Sequence, residues 1–209
     1  MQRKRKLRIY ITAGILTLLL AVGVCLLLFL KAPYGFARPV EEHEAQLRLH
    51  FVETAEQWLG TEGGSEAHAA LLEIYNTHEP LAQGYAVKPQ DAWCATFVSA
   101  AAIQCGLSDI IPTECGCQRQ IGLWQQMGRW EEADHYEPLP GDIIYYCIAN
   151  PDYIGDCTGH SDHVGIVAGT RAGFIKVIEG NCSNRVAYRY IPMDSYQIRG
   201  FALPDFSTK

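Results

Sequence analysis

Apolar positions along the chain fall into three regimes. From Ile9 to Leu30, IYITAGILTLLLAVGVCLLLFL runs for 22 residues without a charge. From Val40 to Gly128 apolar residues return at intervals of three and four, the period of a helix with one buried side. From Gly141 onward the chain breaks into short runs rich in Val, Ile, Tyr and Phe, separated by glycine, proline or asparagine, which predict strands.

In the middle regime, Leu47, Phe51, Ala55 and Trp58/Leu59 mark one side of a helix that Gly60 closes. SEAHAALLEIYN predicts a second helix with Ser65 as its N-cap. Asp91 is the expected N-cap of a third, Ala92–Cys105, stopped by Gly106. A fourth carries Ile121, Trp124 and Met127 on one side and ends at Gly128. GDIIYYCIA, DHVGIVAG, FIKVIEGN, RVAYRYI and IRGFALP then predict an antiparallel sheet. Helices followed by strands, rather than alternating with them, give an α+β class. The expected organisation is a basic segment 1–8, a transmembrane helix 9–30, a linker 31–39 and one domain over 40–209.

The charge pattern sets the expected topology. MQRKRKLR holds five basic residues, and about 20 apolar residues suffice to cross a bilayer. Basic flanks stay on the cytoplasmic side, so the N-terminus is placed inside and the domain outside a cell membrane crossed once. GFA at 35–37 has the look of a signal-peptidase site, but 22 residues exceed the usual apolar core of a signal peptide and favour an uncleaved anchor. Without the six basic residues up to Lys31, the domain keeps 11 basic against 23 acidic residues, a net −12. That excess argues against nucleic acid as a partner.

Eight cysteines are present. Cys25 lies in the apolar run. Cys105, Cys115, Cys117, Cys147, Cys157 and Cys182 are compatible with disulfides outside the cytoplasm, in pairings that sequence leaves open. Cys147 and Cys157 flank one loop and could staple it. The C-x-C spacing of Cys115 and Cys117, taken with Cys157 and His160, is unusual for structural zinc.

Cys94 stands apart, because a thiol in the first turn of a helix meets unpaired N–H groups and a partial positive charge that favour its thiolate. Such a nucleophile needs a base and a group to orient that base. His163 heads a predicted strand. Glu179 and Asn181, two apart, share a face if their strand persists. Asp162 precedes His163 and would point to the opposite face.

WCATFVSAAAIQCGL, PGDIIYY, DHVGIV and IEGN, in that order, resemble the CHAP family of cysteine, histidine-dependent amidohydrolases/peptidases. Members are papain-like enzymes that act on bacterial peptidoglycan. The resemblance covers roughly Glu42 to Pro204. It implies helices packed on an antiparallel sheet, Cys94 as nucleophile, His163 as general base, Glu179 as third member and Asn181 as an auxiliary polar residue. Gln90 is the nearest counterpart of the family's oxyanion glutamine or asparagine, although Trp93 immediately precedes the cysteine. Trp93, Tyr145 and Tyr146 are candidate aromatic walls, with burial in the core as the competing role. The implied activity is hydrolysis of an amide of peptidoglycan, without cofactor or metal, by an ectodomain acting as a monomer. A catalytically silent wall-binding module and a papain-like acyl transferase are the alternatives.

Overall fold

The computed structural model describes residues 14–15, 17–22, 34–132, 135–148, 157 and 159–209. The chain divides into two compact units, residues 1–33 and 34–209. Most of the expected span 9–30 lies outside the described residues. Residues 14–15 and 17–22 are helical, with Ile15, Leu18, Leu19 and Leu20 exposed. Among the described residues no helix is long and apolar enough to cross a membrane.

The second unit begins at Tyr34, inside the stretch expected to be a linker. Gly35 forms an antiparallel bridge with Thr170, and Tyr34 packs against Tyr190. Among the described residues four α-helices follow: α1 (Glu42–Glu56), α2 (Glu66–Asn76), α3 (Cys94–Gln104) and α4 (Cys117–Gln126). Ser65 caps α2 as expected, its Oγ accepting from the His68 N–H at 3.1 Å.

The described residues also hold six strands: β1 (Trp130–Glu131), β2 (Ile143–Tyr146), β3 (His163–Arg171), β4 (Phe174–Glu179), β5 (Ala187–Pro192) and β6 (Ile198–Ala202). They form one antiparallel sheet in the order β1-β6-β2-β3-β4-β5. The α+β class expected from the sequence is the class observed. The two-residue β1, paired with β6, is too short to leave a periodic signal.

The sheet is apolar on both faces. Ile143, Tyr145, Val164 and Ile166 join the main core with α1, α2 and α3. Their neighbours in sequence, Ile144, Tyr146 and Val167, belong to a second cluster with Ile175, Val177, Ile191 and Phe201. The period of two in each strand divides them in this way. Helix α3 is central. Nine of its eleven residues are buried, so it lacks a polar stripe, and its run of alanines lets neighbouring elements approach closely.

An ionic cluster ties α1 to the entry of β2. Arg48 donates to Asp142 at 2.9 Å, to the Pro140 carbonyl at 3.1 Å and to Glu44 at 2.7 Å. Asp142 also accepts from the Tyr136 hydroxyl and the Leu139 N–H. This is the work of the aspartate in PGDIIYY.

Candidate active site

The loop before α3 departs from the sequence expectation. Asp91 is not the cap. Its carboxylate accepts from the Lys88 N–H at 2.8 Å and the Tyr85 hydroxyl at 2.7 Å, which braces the loop instead. The helix starts two residues later than expected, with Trp93 at the N-cap position and no side-chain cap. Cys94 is therefore its first residue. The first helical bond runs from Phe97 N–H to Trp93 C=O at 2.9 Å. The amides of Cys94, Ala95 and Thr96 have no such intrahelical partner, which leaves donors and positive potential at the sulfur.

His163 opens β3 and Glu179 closes β4. Both lie at strand ends, where a side chain can reach past the sheet toward a helix end. His163 Nε2–H donates to Glu179 Oε2 at 3.0 Å. The Cys94 thiol lies beside the same ring, close enough that each shifts the ionisation of the other. Ser161 Oγ donates to the backbone carbonyls of Tyr146 and His163, which fixes the strand entry, and the Tyr146 ring stacks on the imidazole.

Two glycines make room for this line. A Cβ on Gly165 would lie 2.8 Å from Glu179 Cγ and 2.5 Å from Val177 Cγ1, so only glycine leaves the carboxylate beside the histidine two residues away. A Cβ on Gly180 would lie 2.3 Å from Phe97 Cβ, so the end of β4 can press against α3. These are the glycines of DHVGIV and IEGN.

The protonation states follow from the contacts. A hydrogen bond from Cys117 is the largest influence on Cys94. With the imidazole and the Ala95 N–H, it outweighs burial and holds the thiol well below its ordinary range. Burial alone would lower His163, but the hydrogen bonds and negative charges of Cys94 and Glu179 raise it to about 9. Burial likewise opposes the charge of Glu179, yet His163 and Arg189 keep the carboxylate below its ordinary value. Both shifts favour the thiolate–imidazolium pair.

Two residues of this site escaped sequence reasoning. Arg189 on β5 donates through Nε to Glu179 Oε1 at 2.6 Å. It stands opposite Val177 in the β4–β5 register, diagonal to Glu179 on one face. The register of that hairpin was the signal available. Cys117, the first residue of α4, places its sulfur 3.6 Å from that of Cys94. In sequence it was only half of a C-x-C pair.

The other candidates lie elsewhere. Asn181 enters a turn with φ 56° after β4, and the ring nitrogen it might have oriented bonds to Glu179 instead. Gln90 is exposed in the loop before α3. Trp93 is 1% exposed and packs on His68 with ring centroids 4.6 Å apart, and Tyr145 and Tyr146 are fully buried. All three aromatics are core, not walls. Asp162 accepts from the Ile148 N–H at 2.8 Å. Cys147 and Cys157 form a disulfide, whereas Cys105, Cys115, Cys117 and Cys182 are free thiols. Among the described residues no cluster of His, Cys, Asp and Glu could hold a metal ion.

No curated protein matches the chain. Two solved structures resemble it at low identity. One, described as the crystal structure of Ly7917, is 14% identical with a TM-score of 0.37. The other, Ly7917 with the hydrolyzing product of MDP, is 16% identical with a TM-score of 0.36. Each alignment covers 76% of this chain and 62% of the other, so the chain spans less than two thirds of their length. Residues 83–181, just under half of the chain, include Cys94, His163 and Glu179 and match the CHAP domain.

Proposed function

We propose that the chain is a membrane-tethered peptidoglycan hydrolase that cleaves an amide bond through the Cys94 thiolate. The bond is that of an N-acetylmuramoyl-L-alanine amidase or of a peptide endopeptidase. The observation that carries this reading is the His163–Glu179 hydrogen bond beside the Cys94 thiol at the start of α3, within the residues matched to the CHAP domain.

The thiolate attacks the amide carbonyl carbon, and the unpaired amides of the first turn of α3 receive the developing oxyanion. The His163 imidazolium gives its proton to the leaving amine as the C–N bond breaks, which leaves a thioester on Cys94. Neutral His163 then takes a proton from water, which attacks the thioester and releases the carboxylic acid. Glu179 stays ionised throughout and holds the ring in one orientation. Because Cys94 ionises below its ordinary range and His163 titrates at about 9, kcat/KM rises on the acid limb as the thiol deprotonates. It falls through about pH 9 as the imidazolium is lost.

Residues 9–30 tether the domain to the membrane, with residues 34–209 on the outer side. The support is the uncharged 22-residue run behind five basic residues, together with the helical residues 14–15 and 17–22 and their exposed apolar side chains.

The test is mass spectrometry of fragments released from defined peptidoglycan by the full-length protein in detergent, with Cys94→Ser as control. New amine and carboxyl termini at one type of bond are expected from the wild type and none from the variant. No release by the wild type overturns the reading, and the fragment masses identify the bond.

A further inference from the structure

The hydrolytic mechanism uses one thiol, yet two sulfurs meet in the site. Cys94 and Cys117 each open a helix, α3 and α4, and their Sγ atoms lie 3.6 Å apart. A disulfide needs about 2.05 Å between sulfurs, an approach of about 1.5 Å from this contact.

The contact is built into the scaffold. Helix α4 is fixed by a buried chain in which Trp124 Nε1 donates to the Tyr145 hydroxyl at 3.0 Å, and that hydroxyl donates to Gln120 at 2.9 Å. The loop leading to Cys117 is fastened at Glu114. Its backbone N–H donates to Ser99 Oγ on α3, which in turn donates to the Glu114 carbonyl. The Glu114 side chain accepts from the N–H groups of Cys115 and Gly116 and from Gln83. Both helix ends are thereby tied to α3 and β2.

Among the described residues no other free thiol competes for this place. Cys115 donates to Glu114, Cys105 reaches the His50 carbonyl and Cys182 lies against Arg189.

We propose that Cys94 and Cys117 form a reversible disulfide couple, in which Cys117 resolves an oxidised Cys94 after attack by a hydroperoxide. The inference rests on Cys94 being the reactive thiolate of the hydrolase reading. In the first step the Cys94 sulfur attacks the terminal peroxide oxygen. An S–O bond forms, the O–O bond breaks, and the alkoxide or hydroxide leaves and takes a proton, giving a sulfenic acid. In the second step Cys117 attacks the sulfenic sulfur. The S–S bond forms, the S–O bond breaks, and hydroxide leaves with the Cys117 proton as water. Two thiols are oxidised and one peroxide is reduced. The couple removes the nucleophile while the disulfide lasts, and it keeps Cys94 from the sulfinic stage that thiol reductants do not reverse.

The test exposes the full-length protein to an equimolar amount of hydrogen peroxide, then digests it after glutamate. Cleavage at Glu114 places the two cysteines on different peptides. The expected product has lost two hydrogen atoms, with fragment ions joining Cys94 to Cys117. Cys94 loses its labelling by iodoacetamide and regains it after dithiothreitol. In Cys117→Ser the same treatment leaves a sulfenic acid that dimedone traps on Cys94, and more peroxide carries it to sulfinic acid. A dimedone adduct on wild-type Cys94 with Cys117 still open to alkylation overturns the couple. Release of wall fragments by the reduced protein is scored separately. A disulfide without wall cleavage sinks the hydrolase reading alone, and wall cleavage without a disulfide sinks the couple alone.

Discussion

Asp142 stands just before β2 and Glu179 ends β4. Each is fully buried, each accepts from an arginine, and each lies near a tyrosine. Their ionisation diverges. Asp142 meets one cation, Arg48, plus the Tyr136 hydroxyl and an N–H, and burial still raises its pKa. Glu179 lies between two cations, His163 and Arg189, and its pKa is lowered. In a dry site the number of neighbouring cations sets the direction in which burial and charge together move a carboxylate's pKa. The Asp142 cluster closes on itself and fastens α1 to the sheet. The Glu179 cluster passes its charge through an imidazole to a thiol at a helix end. One fastens the fold and the other, on the proposed function, serves the chemistry, from nearly the same side chains.

Arg48→Ala tests the first cluster. It leaves Asp142 buried without its cation and removes the guanidinium that covers the Phe206 ring. Breaking a buried pair from one side costs about 3–5 kcal/mol. Urea unfolding is expected to show a loss of that size. The pH dependence of kcat, measured on the fraction still folded, is expected to match that of the wild type. A shifted pH profile would mean that the two clusters are coupled.

Glu179→Gln tests the second. The amide preserves volume and can still meet the ring and Arg189, but it removes the charge that favours the imidazolium. General acid–base catalysis contributes about 10²–10⁴-fold, and a retained hydrogen bond places this variant at the lower end, about 10²-fold in kcat. The alkaline limb, at about 9 in the wild type, is expected to move to lower pH because Glu179 is among the groups that raise His163. An unmoved limb would show that Cys94 alone supports the imidazolium.

What the sequence revealed depends on the range of the interactions. Periodicity is local, and it located α1, α2 and α4 and five of the strands. The proposed line of Cys94, His163 and Glu179 was legible because each member sits at an element boundary, where a polar side chain interrupts an apolar pattern. The start of α3 was misplaced because Asp91 had two uses, cap or loop brace. Choosing between them requires knowing that Tyr85 and the Lys88 N–H come within reach. Asn181 looked equivalent to a partner for the ring because the sequence cannot show that the chain turns to positive φ directly after Gly180. Arg189 and Cys117 were invisible for a related reason. Each acts across a strand register or a helix junction that is set only once the core has formed.

Arg189 probes how much of the second cluster is catalysis and how much is support. It does not touch the sulfur, and its partners are Glu179 and the Cys182 thiol. It is a positioning residue, about one third exposed, so its loss admits water rather than leaving a dry cavity. Arg189→Gln is expected to lower kcat about tenfold, the size of one charge-assisted hydrogen bond to a carboxylate that keeps its other partner. The sign of the pH effect is fixed. Arg189 lowers the pKa of Glu179, so without it the carboxylate takes up a proton at higher pH, and this loss adds to that of the thiol and moves the acid limb of kcat/KM upward. Arg189→Lys keeps the charge and loses the fork, and it is expected to restore the acid limb while recovering only part of kcat. If both variants lower stability and leave the pH profile in place, Arg189 belongs with Arg48 as a fastener of the fold.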